Sequence, residues 1–189
     1  MSQPEPSPSS SGECHRLADA TATRALGQQL AARLSQANEA AQGAAAAPPT
    51  LLLSGDLGAG KTCLVQGLAA GLGIEEAITS PTFALSQHYS ASHHDSGSPD
   101  GGDAPQQRPG LVHLDLYRLE QAAAADELLA QEEEEAMALG ALLAVEWPER
   151  LSQPPAGAWL LQLELADPQD PEAGRIARLH APNAPAAQA

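Results

Sequence analysis

A mostly parallel β-sheet flanked by helices, with an antiparallel C-terminal hairpin, is the fold class this 189-residue sequence predicts. Three observations carry it. Short apolar runs alternate with stretches of helical periodicity. A glycine-rich turn, Gly55 to Gly60, joins one apolar run to a helix, and two further apolar runs end in an acid, Asp115 and Glu146. In such a sheet the loops at the carboxyl ends of the strands line one edge, where ligands bind, so the turn and both acids are expected to converge.

The elements follow in order. Residues 1–15 are rich in Ser, Pro and Glu and read as a disordered tail. Asp19 or Thr21 caps a helix whose Leu26, Leu30 and Leu34 recur at helical spacing. After the break GAAAAPP, Leu51-Leu52-Leu53 is a short buried strand. The glycine turn leads to a helix carrying Leu64, Val65, Leu68 and Leu72, with Gly73 just past its end. Thr79 to Tyr89 is a turn entering a strand, and 90–109 is a polar, flexible insertion. Leu111–Leu116 is a strand, Glu120–Leu139 a helix stopped by Gly140, and Leu142–Glu146 a second acid-ended strand. Trp159–Leu165 and Arg175–Leu179 form the hairpin. Residues 16–181 thus make one domain, with 182–189 a disordered Ala/Pro tail.

Composition narrows the function. Twenty-four acidic against nine basic residues leave a net charge of −15, so a broad cationic grip on nucleic acid is excluded. No apolar run is long enough for a membrane span. The opening MSQPEPSPSSSGE has neither the basic start nor the apolar stretch of a signal peptide. Cys14 and Cys63 do not make a disulfide framework. A soluble, cytoplasmic protein is expected. Among its cations Lys61 is the single lysine beside eight arginines, which points to a place that needs a compact ammonium.

That place is Gly55-Asp56-Leu57-Gly58-Ala59-Gly60-Lys61-Thr62, which satisfies G-x-x-x-x-G-K-[ST]. Small residues let the backbone wrap an anion so that its amides point inward. The start of the following helix adds its positive end. Lys61 is placed to reach the β- and γ-phosphates, and the Thr62 hydroxyl to bind Mg²⁺. The fold is therefore expected to be that of a P-loop NTPase. A metal-bound triphosphate needs a second anchor, for which Asp115 and Glu146 compete. One of them contacts Mg²⁺ and the other positions or deprotonates the attacking water.

Four segments, GDLGAGKT (55–62), SPTF (80–83), HLDLYRL (113–119) and VEWPERL (145–151), together resemble the TsaE (YjeE-like) ATPase family of bacterial tRNA threonylcarbamoyladenosine biosynthesis. LADATATRALG (17–27) is similar to the family's opening, and the likeness spans about residues 17–180 apart from the insertion. The resemblance implies a cytosolic ATPase whose ligands are ATP or ADP with Mg²⁺ and whose partners are TsaB and TsaD, with tRNA reached only through them. Those partners transfer the threonylcarbamoyl group, and hydrolysis resets or drives them between turnovers.

By position, the resemblance puts Leu57 to Thr62 on the phosphates, with Thr62 and Glu146 on Mg²⁺. Lys61 and Asp115 become the candidate catalytic residues, and Arg175 an arginine near the nucleotide. Ser80 to Phe83 is the mobile switch, Trp147 adjoins the metal-binding acid, and Asp19 to Thr23 lie near the base. Three departures fall outside these positions: Leu128-Leu129-Ala130 replaces a usual Leu-Gly pair, Cys63 stands where a hydroxyl residue is common, and the 90–109 insertion is unusually long.

Other residues read as ordinary. His93 and His94 beside Asp95 lack further ligands at fixed spacing. His113 reads as a packed strand residue or a partner of the switch, Cys63 as a small filler, and Glu132 to Glu135 as a solvated helix face. Arg118 could stabilise γ-phosphate charge, whereas Arg150 reads as a surface ion-pair former. Two rival functions fit the same loop: a P-loop kinase of a small metabolite, and a non-catalytic nucleotide-binding scaffold.

Overall fold

The computed structural model describes residues 12–40, 47–91 and 109–182. Residues 1–11 and 183–189, most of the expected insertion, and His93, His94 and Asp95 lie outside them. The elements are β1 (Glu13–Leu17), α1 (Ala20–Ala40), β2 (Thr50–Ser54), α2 (Lys61–Leu72), β3 (Ser86–Tyr89), β4 (Leu111–Asp115), α3 (Ala122–Leu139), β5 (Leu142–Glu146), β6 (Trp159–Leu165) and β7 (Arg175–His180). A single 3₁₀ turn, Pro148–Arg150, follows β5.

All seven strands form one sheet in the order β1-β7-β6-β2-β5-β4-β3. The central four run parallel, while β7, β1 and β3 are added antiparallel at the two sides. The chain leaves β2, crosses to β4 by way of α2, then steps back through α3 to insert β5 between them. Parallel crossovers are right-handed, so reversing the direction of travel moves the connecting helix to the other face. Side chains agree with this. Leu51 and Leu53 of β2 pack with α1 and α2, whereas Leu52 between them packs with α3. In β5, Leu142 and Ala144 join the first cluster and Leu143 and Val145 the second. Continuous apolar runs in β2 and β5 reflect burial on both faces.

Helix boundaries follow local chemistry. Asp19 caps α1, its Oδ1 accepting the Ala22 amide at 2.8 Å. Gly73 and Gly140 close α2 and α3 in the left-handed region. Helices α1 and α2 approach so closely that a Cβ on Gly67 would stand 2.1 Å from the Arg24 carbonyl oxygen, and one on Gly27 2.3 Å from that of Leu64. These glycines let the two backbones touch.

Two expectations are corrected. The tail expected over 1–15 gives way at Glu13 to β1, which pairs with β7 from Glu13↔Leu179 to Leu17↔Arg175. Its mostly exposed sequence ECHRL carries no apolar alternation, because backbone pairing and the Arg33 fork on the Glu13 carboxylate (2.8 and 2.9 Å) hold it in place. That fork keeps the Glu13 carboxyl below the usual carboxylate range. Secondly, Glu132 does not face solvent: it is buried, with Oε2 2.6 Å from His88 Nε2 on β3. Burial also pushes the neighbouring Glu133 carboxyl upward, so only Glu134 and Glu135 fit the solvated face.

Candidate functional site

The turn at 55–60 lies where β2 ends and α2 begins, and its geometry requires glycine. Gly55 has φ 141° and a Cβ there would meet the Leu163 carbonyl oxygen at 2.3 Å. Gly60 caps α2 in the left-handed region, φ 106°, and its carbonyl accepts the Leu64 amide at 3.0 Å. The first-turn amides of α2, from Lys61 and Thr62 on, therefore begin at the loop, with their positive end toward it.

Period two in the strands places the acids. On β4 His113 and Asp115 share one face, and on β5 Ala144 and Glu146 do the same; the pairs His113↔Ala144 and Asp115↔Glu146 are in register. Because Ala144 packs on the α1/α2 side, all of these residues look toward the start of α2. Adjacent parallel strands are about 4.8 Å apart, which brings the two carboxylates side by side. The sequence expectation that loop and acids converge is met in this arrangement.

Glu146 is buried and its Oε1 accepts both the Thr62 hydroxyl (2.8 Å) and a hydrogen bond shared with His113 Nε2 (3.0 Å). Asp115, also buried, is engaged at both oxygens. Oδ1 accepts the Tyr117 amide at 3.0 Å, while Oδ2 accepts the hydroxyls of Ser80 (2.7 Å) and Thr82. The 80–83 segment thus closes onto the Asp115 carboxylate, with Phe83 exposed and Arg118 stacked 4.2 Å from its ring centroid.

Lys61 is buried and folded back on the loop, donating to the carbonyls of Gly55 (2.6 Å) and Asp56 (3.1 Å). Its ammonium lies 3.8 Å from the ring centroid of Trp147, which in turn packs on Tyr117 at 4.9 Å. Trp147 adopts the left-handed region, φ 62°, a costly conformation for a large side chain that turns the indole over the lysine. Burial pushes the Lys61 ammonium below the usual lysine range, against the opposing pull of Glu146, Glu149, Asp115 and Asp56.

A cavity of about 390 Å³ opens among these groups, bounded by Leu57, Gly58, Gly60 and Lys61 on one side and Ser80, Asp115, Glu146 and Trp147 on the other. Of the residues expected at the site, the loop, Thr62, Asp115 and Glu146 are brought together. Ala59 is buried beneath the loop, and Asp56 turns the loop by accepting the Ala59 amide at 3.1 Å. Arg175 lies against the loop: its guanidinium donates to the carbonyls of Ala59 (3.1 Å), Gly58 (3.2 Å), Pro171 (2.6 Å) and Gly174 (3.0 Å). Four of its five donors are spent on backbone, so it braces the loop from outside. Thr23 of α1 lies beside Gly60, its Cγ2 3.8 Å from where a Cβ there would stand. Burial raises the Cys63 thiol, which suits a filler rather than a reactive sulfur.

Oxygen donors of the hard kind, a threonine hydroxyl and a carboxylate, beside a phosphate-sized loop of small residues fit Mg²⁺ with a polyphosphate. Sequence reasoning missed the His113–Glu146 contact. The H-x-D spacing carried the signal, since residues two apart on a strand share a face.

Comparison with known proteins agrees with this architecture. Residues 17–175 match the family "Threonylcarbamoyl adenosine biosynthesis protein TsaE". The Synechocystis sp. tRNA threonylcarbamoyladenosine biosynthesis protein TsaE is 43% identical over 143 residues, covering 74% of this chain and 73% of that one. The Nostoc sp. protein of the same name is 42% identical over 106 residues, 56% of each chain. The crystal structure of Bacillus subtilis YdiB has the same fold, with TM-score 0.58 over 93% of this chain and 88% of that one at 23% identity. Among the described residues no helix is long and apolar enough to cross a membrane. Since the matched span runs from the last residue of β1 to the first of β7, and so takes in the whole glycine loop and both strand-end acids, the chain belongs to the TsaE family of tRNA threonylcarbamoyladenosine biosynthesis.

Proposed function

We propose that this chain binds ATP with Mg²⁺ in the cavity at the end of β2 and hydrolyses it, as the ATPase subunit that sustains turnover of the threonylcarbamoyl-transfer machinery. The observation that carries the reading is the 2.8 Å bond from Thr62 to Glu146, with Asp115 in register beside Glu146. One carboxylate on the loop's own threonine and a second on the next strand is the pairing that triphosphate hydrolysis needs.

The residues divide the work. Amides of the glycine loop and of the first turn of α2 bind the phosphates. Lys61, freed from the Gly55 and Asp56 carbonyls, pairs with the β- and γ-phosphate oxygens. Thr62 and Glu146 hold Mg²⁺, which when bound neutralises charge developing on the transferred phosphoryl group. Asp115, once Ser80 and Thr82 release its Oδ2, orients the attacking water and accepts its proton. Arg175 keeps the loop in shape. With Arg175 spent on loop backbone and Arg118 and Arg150 over the Phe83 and Tyr117 rings, the chain alone hydrolyses slowly, and the partner proteins TsaB and TsaD complete the site. A strongly acidic subunit, net charge −15, contacts these proteins and leaves tRNA to them.

The test is phosphate release from Mg²⁺-ATP, measured alone and with TsaB and TsaD, for the natural chain and Lys61→Ala. Free phosphate that rises with the partners and vanishes in the variant is expected. Phosphate appearing on a small metabolite instead would make the protein a kinase. Bound nucleotide without turnover in the full mixture would make it a scaffold.

A further inference from the structure

His113 has no place in the chemistry assigned so far, yet it is fully buried in the middle of β4, an expensive position for an imidazole. Its Nε2 lies 3.0 Å from Glu146 Oε1, and its Nδ1, buried, has no hydrogen-bond partner among the described residues. Two consequences follow from this asymmetry. The nitrogen facing a carboxylate oxygen must carry the proton, because two lone pairs would repel. On a neutral ring the orphaned nitrogen is a bare acceptor, less costly to bury than an unpaired N–H. Opposite His113 in the ladder stands Ala144, whose small side chain leaves the imidazole room to lean along the strand toward Glu146.

Oε1 of Glu146 thereby receives two donors, Thr62 from α2 and His113 from β4. A carboxylate held at one oxygen from two directions has its plane fixed as well as its position. We propose that His113 is the positioning residue of the metal-binding carboxylate: by occupying Oε1 from the strand side it fixes the Glu146 rotamer and turns Oε2 to the cation. The inference rests on the reading of Glu146 as a Mg²⁺ ligand. Such outer partners orient a ligand before the ion arrives and so raise its affinity.

The test is calorimetric titration of ADP into the full-length protein with and without Mg²⁺, for the natural chain, His113→Leu and His113→Gln. The natural chain should bind ADP more tightly with Mg²⁺. In His113→Leu that gain should shrink about ten-fold while metal-free affinity stays unchanged. His113→Gln, whose amide nitrogen can still donate toward Oε1, should recover most of it. An undiminished gain in a folded His113→Leu, equal losses with and without metal, or a glutamine variant no better than leucine would each overturn the proposal. No Mg²⁺ gain in the natural chain would instead remove the metal reading beneath it. Should His113→Leu fail to fold, ¹⁵N spectra of the natural protein decide: a proton on Nε2 supports the assignment, and a bare Nε2 overturns it.

Discussion

The Trp147 indole covers the Lys61 ammonium at 3.8 Å, while the same ammonium donates to the carbonyls of Gly55 and Asp56. The lysine is thus sheltered from water on one side by an aromatic face and on the other by the carbonyls of the glycine loop.

That shelter has a pH signature. Burial lowers the Lys61 ammonium from its ordinary value near 10.5, so the folded chain releases this proton before the unfolded chain does. Between the lowered value and about 10.5 the unfolded state binds more protons, and stability rises with pH. With Lys61 on the phosphates as proposed, nucleotide affinity should fall over the same window as the charge is lost. Chemical denaturation across alkaline pH should show the rise in the natural chain and not in Lys61→Met; parallel curves would contradict it.

Asp115→Asn keeps the shape and an acceptor oxygen but removes the carboxylate proposed as the base. Mg²⁺-ATP should bind within a few-fold of the natural affinity while turnover in the partner mixture falls about 10²- to 10⁴-fold. Single-turnover phosphate release measures it, and an unchanged rate would move the base elsewhere.

Arg175→Ala should loosen the loop that its guanidinium braces at Gly58 and Ala59. Loss of charge-assisted bonds that are partly exposed is expected to weaken ADP binding about ten-fold. Arg175→Lys should rescue little, because one ammonium cannot reproduce the planar fork. Calorimetry on both variants checks this, and full rescue by lysine would favour a simple charge effect.

Gly67→Ala places a methyl where the Arg24 carbonyl already stands. The helices must separate, at a cost of about 1–3 kcal/mol. Thermal unfolding of the ligand-free protein should show a lowered Tm; an unchanged melt would mean that α1 shifts freely.

How much of this was legible in the sequence depends on what kind of force places each residue. The glycine loop, Asp115 and Glu146 were readable because a strand pleat and a loop-to-helix junction fix them locally, with the sheet edge following from alternation. β1 was not, because Glu13–Leu17 owes its form to backbone pairing with a strand about 160 residues away, which leaves no local pattern. Glu132 was misread within a run of four glutamates, since only the position of His88 on β3 selects the one that turns inward. Arg175 was found near the nucleotide loop, but its spending of donors on carbonyls depends on the 166–174 connection curling back.

The touching backbones at Gly67 and Arg24 seat α1 directly against α2, one anvil behind the glycine turn. Under the proposed function, any difference between loaded and spent protein would be expressed across the cleft, where the Ser80 and Thr82 hydroxyls latch the Ser80–Phe83 stretch to Asp115. A partner reading that side would register the state of the nucleotide and be indifferent to the anvil.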